Sequence, residues 1–241
     1  LGIEVQLIRH GKYKSAGEMY INNNISPANR EQNQEMIDAI WDSWVAEIAQ
    51  SREITVDEFN QLVDNLTLSD AEDMKEHNLV DELMYQNEVE DYICTLTETS
   101  KIEDVKMVTL SGYASAKIKQ NFKVKDKIAI LYANGEIVMG NDSENIASAT
   151  YAKMISDIRK DSTIKAVLFR VNSPGGSAHA AEIIRNELTL LKEKKPIIVS
   201  YGGYAASGGY WISAGCDKIF TNNTTLTGSI GEIGRASCRE R

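Results

Sequence analysis

Ser207 stands in Tyr201-Gly-Gly-Tyr-Ala-Ala-Ser-Gly-Gly-Tyr210, a run of small residues between the apolar stretches 196–200 and 211–214. The spacing places this hydroxyl at the first turn of a helix, where unpaired backbone N–H groups and a partial positive charge collect. An oxygen that must become an anion, or lie beside one, is stabilised there. The pattern also fits a plainer purpose, since serine is a favoured N-cap and glycine allows close packing. A second stretch bears on the choice. Asn172-Ser-Pro-Gly-Gly176 follows the apolar run 164–171, and Ala180, Ile183, Ile184, Leu188 and Leu191 then recur at helical spacing. Glycines at such a strand-to-helix turn leave a backbone N–H open to a ligand oxygen. Two such turns in one parallel sheet can face each other at the carboxyl ends of the strands. One would supply a nucleophile and an N–H, the other a second N–H, which together make a serine with an oxyanion hole.

The elements that would position these turns alternate. Helix, strand 164–171, helix, strand 196–200 and helix form the pattern of a βαβ sheet. Gly202 and Gly203 are expected to end the 196–200 strand sharply. Upstream, 127–138 reads as two strands joined at Asn134-Gly135, a hairpin signal. Ile146, Ala149, Met154, Ile155 and Ile158 predict an amphipathic helix after a polar loop at 140–144. Ile219-Phe220 is a further short strand, and Thr227-Gly-Ser-Ile-Gly231 is another glycine-flanked serine turn.

The first half is more helical. Residues 1–10 read as a strand entering a turn at Gly11. Ser26-Pro27 is a helix start, followed by an apolar stripe of Met36, Ile37, Ile40, Trp41, Trp44, Val45 and Ile48. The polar face of that helix is acidic (Glu31, Glu35, Asp38, Asp42), so packing on a sheet or a neighbouring subunit fits better than a membrane surface. Thr55, with Glu58 at capping-box spacing, opens a second helix with Phe59, Leu62, Val63 and Leu66 inward. Residues 69–78 make a short third helix. The stretch 88–104 is acidic and polar, and 105–110 is a small β-like island.

Composition sets limits. The 241 residues, 42% of them hydrophobic, suffice for one sizeable core or two small ones. A net charge of −9 argues against a nucleic-acid partner. No apolar run approaches the roughly 18 residues of a membrane span. Cys94, Cys216 and Cys238 are too scattered for a disulfide framework or a zinc site. Neither nucleotide-binding glycine motif occurs.

Asn172-Ser-Pro-Gly-Gly176, Ala205-Ala-Ser-Gly-Gly-Tyr210 and Leu226-Thr-Gly-Ser-Ile-Gly231, with Tyr13-Lys-Ser-Ala16 upstream, together resemble the signal peptide peptidase A (protease IV) family in its long tandem-repeat form. Asn78-Leu-Val-Asp-Glu-Leu83 is similar to the segment that closes each repeat. The resemblance implies an α/β fold of the Clp protease/crotonase-like ββα superhelix type. Residues 1–112 would be the end of a first repeat, 113–125 a linker, and 126–231 the core of a second repeat. It implies a serine endopeptidase with a Ser–Lys dyad, without cofactor or metal. Ser207 would be the nucleophile, Lys14 the base, Ser229 the group that orients the lysine, and the Gly176 and Gly208 N–H groups the oxyanion donors. A lysine base must be desolvated so that its amine is neutral at working pH; Lys14, not Lys12, occupies the motif position. Apolar peptides such as cleaved signal peptides would be the substrates. A homotetramer at the extracytoplasmic side of the bacterial cytoplasmic membrane would be the setting, with the membrane anchor elsewhere. Residues 232–241 break the family pattern and are read as a non-native tail. The opening Leu1-Gly-Ile-Glu, without methionine, is read as the start of a fragment.

Other chemistries remain open. A histidine mechanism has His10, His77 and His179 to draw on: His10, near Lys14, is the best candidate, His77 reads as solvated, and His179, just after the Pro-Gly-Gly turn, could approach the site but reads more simply as exposed. Ala205 stands where the α/β-hydrolase elbow requires glycine. A crotonase-like acyl-CoA enzyme would use the same two N–H groups on a thioester, with a carboxylate in the pocket. An inactive scaffold would keep the glycines and tolerate loss of Lys14.

Overall fold

A computed structural model describes residues 5–9, 11–117 and 125–230. The chain divides into two compact units, Leu1–Gln120 and Asn121–Arg241. His10, Gly231, the 232–241 segment and residues 118–124 of the expected linker lie outside the described residues.

The first unit is helical. Residues 5–9 form no strand, contrary to their alternating pattern. Alternation favours a strand only where a partner strand accepts the backbone hydrogen bonds. Gly11 makes the expected turn at φ +112°, and a 3₁₀ turn covers Glu18–Tyr20. Helix α1 (Pro27–Arg52) begins as expected, with Ser26 Oγ accepting from Asn29 N at 3.2 Å. Thr55 Oγ1 accepts from Glu58 N at 3.1 Å and starts α2 (Val56–Asp64). Asp70 and Asp73 form a reciprocal capping box at α3 (Ala71–Glu76). Helix α4 (Gln86–Thr97) occupies much of the stretch read only as acidic and polar. Helix α5 (Leu110–Lys117) begins where the β-like island was expected to end, and 105–109 is not a strand.

The core of this unit is small. Val45, Ala49 and Phe59 are buried, and the Trp41 and Phe59 rings meet at 6.0 Å. Of the seven residues in the α1 stripe, Val45 alone is buried, while Trp44 is 58% exposed. Leu66, expected inward, is 80% exposed. It sits at φ +54° just past α2, in the left-handed position that closes a helix and turns its side chain outward. Among the described residues, no helix is long and apolar enough to cross a membrane.

The second unit is a parallel α/β sheet. Strands β1 (Lys127–Asn134), β4 (Ile164–Ser173), β5 (Ile197–Ala206) and β6 (Lys218–Phe220) lie in the order β1-β4-β5-β6, and β7 (Leu226–Gly228) pairs with the far end of β5. Every pairing is parallel. A separate two-stranded parallel sheet joins β2 (Ile137–Val138) to β3 (Ile146–Ala147). The hairpin expected at Asn134-Gly135 is therefore absent: β1 pairs with β4, and Gly135 (φ +101°) takes the chain out of the main sheet. An Asn-Gly pair marks a turn through its tolerance of positive φ, but not which strand pairs with which. Ile146 belongs to β3, and the helix it was assigned to, α6, starts at Ser148 (Ser148–Lys160).

Helices α6, α7 (Ala178–Lys192) and α8 (Gly208–Ser213) contribute to the core against one face of the sheet. Ile155, Ala180, Ile184, Leu191 and Ile212 meet Val167, Phe169, Val171, Ile197 and Val199 there, all almost fully buried. The opposite face is more open at the edge strand, where Ile128, Ile130 and Tyr132 alternate outward. Lys195, buried where β5 begins, donates to the Ile158 and Asp161 carbonyls and ties the end of α6 to the sheet. Replacing Ile184 with alanine leaves a cavity in this core. Urea denaturation should show Ile184→Ala lowering the unfolding free energy by about 2–5 kcal/mol.

Candidate active site

The site residues of the second unit gather where β4 and β5 end. Strand β5 does not stop at Gly202-Gly203 as expected; it continues to Ala206. Val171 pairs with Tyr201 and Ser173 with Ala205, so Gly202, Gly203 and Tyr204 together lie opposite the single residue Asn172. This is a bulge built around the Asn172 side chain. Asn172 Oδ1 accepts from Tyr204 N at 3.0 Å, and Nδ2 donates to Asn134 Oδ1 at 2.8 Å. A Cβ at Gly202 would stand 2.8 Å from Asn172 Cβ and Oδ1, so only glycine lets the strand pass this close. Asn172 thus fastens three strand ends together. It lay in view within the Asn-Ser-Pro-Gly-Gly motif, but its contacts depend on strand register.

Ser207 follows directly. Its backbone is at φ 49°, ψ −120°, a conformation that costs a non-glycine residue about 1–3 kcal/mol and collects at functional sites. Its N–H donates to Gly228 O at 2.9 Å. It is the N-cap of α8, but its side chain makes no capping hydrogen bond. The plain capping role is therefore not what the hydroxyl performs here. The side chain is half-buried.

The Pro-Gly-Gly turn packs against this point. A Cβ at Gly175 (φ +105°) would lie 2.8 Å from both Gly208 N and Ser207 Cβ. A Cβ at Gly176 (φ +147°) would lie 2.2 Å from Ile137 O. Ile137 N donates to Gly175 O, and Ser177 N to Ile137 O, each at 2.8 Å. Ser173, fully buried, accepts from Gly175 N at 3.1 Å through its Oγ. The two turns touch backbone to backbone, and the structure brings Gly175, Gly176, Ser207 and Gly208 into one cluster.

Ser229 joins it through β7. Ala206 is in register with Gly228, so Ser207 and Ser229 are the next residues on adjacent strands. Both leave their strands with positive φ, 49° and 51°. Ser229 is exposed. Behind the site, Tyr201 Oη and Ser213 Oγ share a buried hydrogen bond of 2.8 Å, and burial pushes the phenol pKa upward. On the outer side, Trp211 Nε1 donates to Glu182 at 2.9 Å. Arg185 donates to the same carboxylate at 2.7 and 2.6 Å and lowers its pKa. Sequence reading missed this lock between α7 and α8, since its members are scattered along the chain.

Lys14 belongs to the first unit. It is half-buried, and its carbonyl oxygen accepts from Arg9 Nη1 at 3.2 Å. Lys12 is exposed and paired with Glu31 at 2.6 Å; that hydrogen bond raises the lysine pKa and lowers the carboxyl pKa. Tyr13 Oη also donates to Glu31, at 3.0 Å. Of the histidines, His179 is exposed on α7 and His77 is half-buried at the end of α3.

The sequence model of Peptidase family S49 matches residues 1–100 and 189–238, spans that hold Lys14 and Ser207 respectively. The chain belongs to peptidase family S49. Among curated relatives, this S49 chain is 36% identical to Protease 4 of Salmonella typhi over 97% of its own length and 39% of that protein. It is 31% identical to the chloroplastic serine protease SPPA of Arabidopsis thaliana, over 97% of its own length and 35% of that protein. The S49 chain thus spans less than half the length of these relatives. Among solved structures, a mutant of a membrane-bound stomatin-specific protease aligns with a TM-score of 0.32 at 24% identity, covering 40% of this chain and 44% of that one.

The contact between the two turns makes a direct test. Gly175→Ala forces a Cβ against Ser207 and the Gly208 amide, and urea denaturation should show a loss of about 1–3 kcal/mol.

Proposed function

We propose that the full-length protein is a serine endopeptidase working through a Ser–Lys dyad and an acyl-enzyme. Ser207 Oγ attacks the peptide carbonyl. Lys14, as the neutral amine, takes the hydroxyl proton and then gives a proton to the leaving amine. The acyl-enzyme is released by water, with Lys14 again the base. The carbonyl oxygen, negative in the tetrahedral intermediate, is held by the Gly176 and Gly208 N–H groups. Ser229 orients the lysine amine, the part a third group plays in a triad. The observation that carries this reading is the backbone of Ser207, strained and uncapped, with a side-chain-free turn pressed against it.

The names of the relatives support the reaction class. Another relative, from Enterococcus faecium, is named a putative signal peptide peptidase and is 40% identical over 44% of this chain. Apolar peptides, including cleaved signal peptides, are the proposed substrates. The proposed setting is a homotetramer at the extracytoplasmic side of the bacterial cytoplasmic membrane. The uncovered apolar stripe of α1 suits a contact with another subunit. Thioester chemistry on the same two amides would call for a carboxylate free to act; Glu182, which meets Trp211 of α8, is engaged by Arg185 and Trp211.

In the full-length protein, Ser207→Ala and Lys14→Ala should each cut turnover of a fluorogenic peptide amide by roughly 10³-fold or more while leaving the circular dichroism spectrum unchanged. A fluorophosphonate should label wild type at Ser207 and not label Ser207→Ala. Near-normal turnover by either variant would end the assignment.

A further inference from the structure

A chain of polar contacts leads from Lys14 to the start of α1. Arg9 Nη1 donates both to the Lys14 carbonyl, at 3.2 Å, and to the Glu18 carboxylate. Glu18 Oε1 accepts a second hydrogen bond from Ser26 Oγ at 2.8 Å. Ser26 is the cap of α1, accepting from Asn29 N at 3.2 Å. The Glu18 backbone closes the turn that follows Lys14, its N–H donating to Ser15 O at 2.9 Å.

Glu18 is unusual in its surroundings. It is 4% exposed, and few other side chains are buried among the described residues of this unit. Its Oε2 is buried with no hydrogen-bond partner among the described residues. A carboxylate so placed is tolerated only when a partner charge compensates its lost hydration. Arg9 supplies that charge, and with Ser26 it holds the carboxyl below the usual carboxylate range. The neighbouring tether, Lys12 and Tyr13 on Glu31, is exposed and is worth little by comparison.

We infer that Arg9 and Glu18 are positioning residues for Lys14, fixing its backbone to the capped end of α1 so that the amine is delivered from one place. The inference rests on the dyad proposed above. One guanidinium nitrogen serves both acceptors in a fixed geometry, which the flexible ammonium of lysine does not reproduce.

The test uses the full-length protein, a fluorogenic peptide amide and the corresponding ester, with rates divided by the number of serines titrated by a fluorophosphonate. Dividing by titrated serines removes any unfolded fraction. Glu18→Gln and Arg9→Lys should lower kcat per titrated serine about 10- to 100-fold on the amide, as a displaced catalytic group does. KM should move by less than about twofold, because the groups that bind substrate are untouched. The ester should lose less, since its leaving group needs less help from a proton donor. Variants within about twofold of wild type in kcat per titrated serine, alongside an inactive Lys14→Ala, overturn the positioning role and leave the dyad standing. So does an equal loss on amide and ester, or a loss confined to the number of titrated serines, either of which marks a purely structural role. Wild-type turnover by Lys14→Ala overturns the dyad itself and this inference with it.

Discussion

The contact between two glycine turns governs the second unit. At Gly175 and Gly176 the backbone comes so close to Ser207, Gly208 and Ile137 that no Cβ fits without displacing a neighbour. Contact of this kind leaves few ways to relax, because backbone atoms cannot rotate aside as side chains do. The strained conformation of Ser207 is sustained by it. Such a backbone persists only when its surroundings over-determine it. Here the N–H is fixed to Gly228, and the Pro-Gly-Gly turn closes the other side.

The sheet makes that contact possible. Parallel pairing of β4 with β5 brings both strand ends to the same edge, and the helices that follow them pack side by side on the same face. Asn172 adds the local correction. By holding the Gly202–Tyr204 bulge it lets β5 lose register and regain it two positions before Ser207. Ser207 therefore meets the turn at a place set by hydrogen bonds as well as by core packing. The register of β7 then puts Ser229 beside it.

The first unit is held differently. Its apolar core is slight, and much of its order near Lys14 comes from the polar line Arg9–Glu18–Ser26 into a capped helix. The proposed dyad draws one group from each unit, so each group must be stiffened within its own surroundings. Ser207 is stiffened by backbone contact and strand register. Lys14 is tied through the buried Arg9–Glu18 pair, and the Arg9 charge is what lets an acidic residue stand in a buried place.

Residue type alone pointed to the glycine turns, to Ser207 between them, to the capped starts of α1 and α2 and to the βαβ order. These are local properties: glycine tolerance of positive φ, serine and threonine as caps, and apolar periodicity act within a few residues. The motifs at Tyr13–Ala16, Asn172–Gly176, Ala205–Tyr210 and Leu226–Gly231 together also indicated the family. Tertiary structure alone decided the partners. It turned the Asn134-Gly135 hairpin signal into a departure from the sheet, carried β5 past its glycines, and denied residues 5–9 a strand. It also gave Asn172, Glu18 and Trp211 their roles, which no spacing discloses. Each of those outcomes depends on which distant backbone or charge lies alongside, and that is settled by packing of the whole unit, where a local preference is only one term.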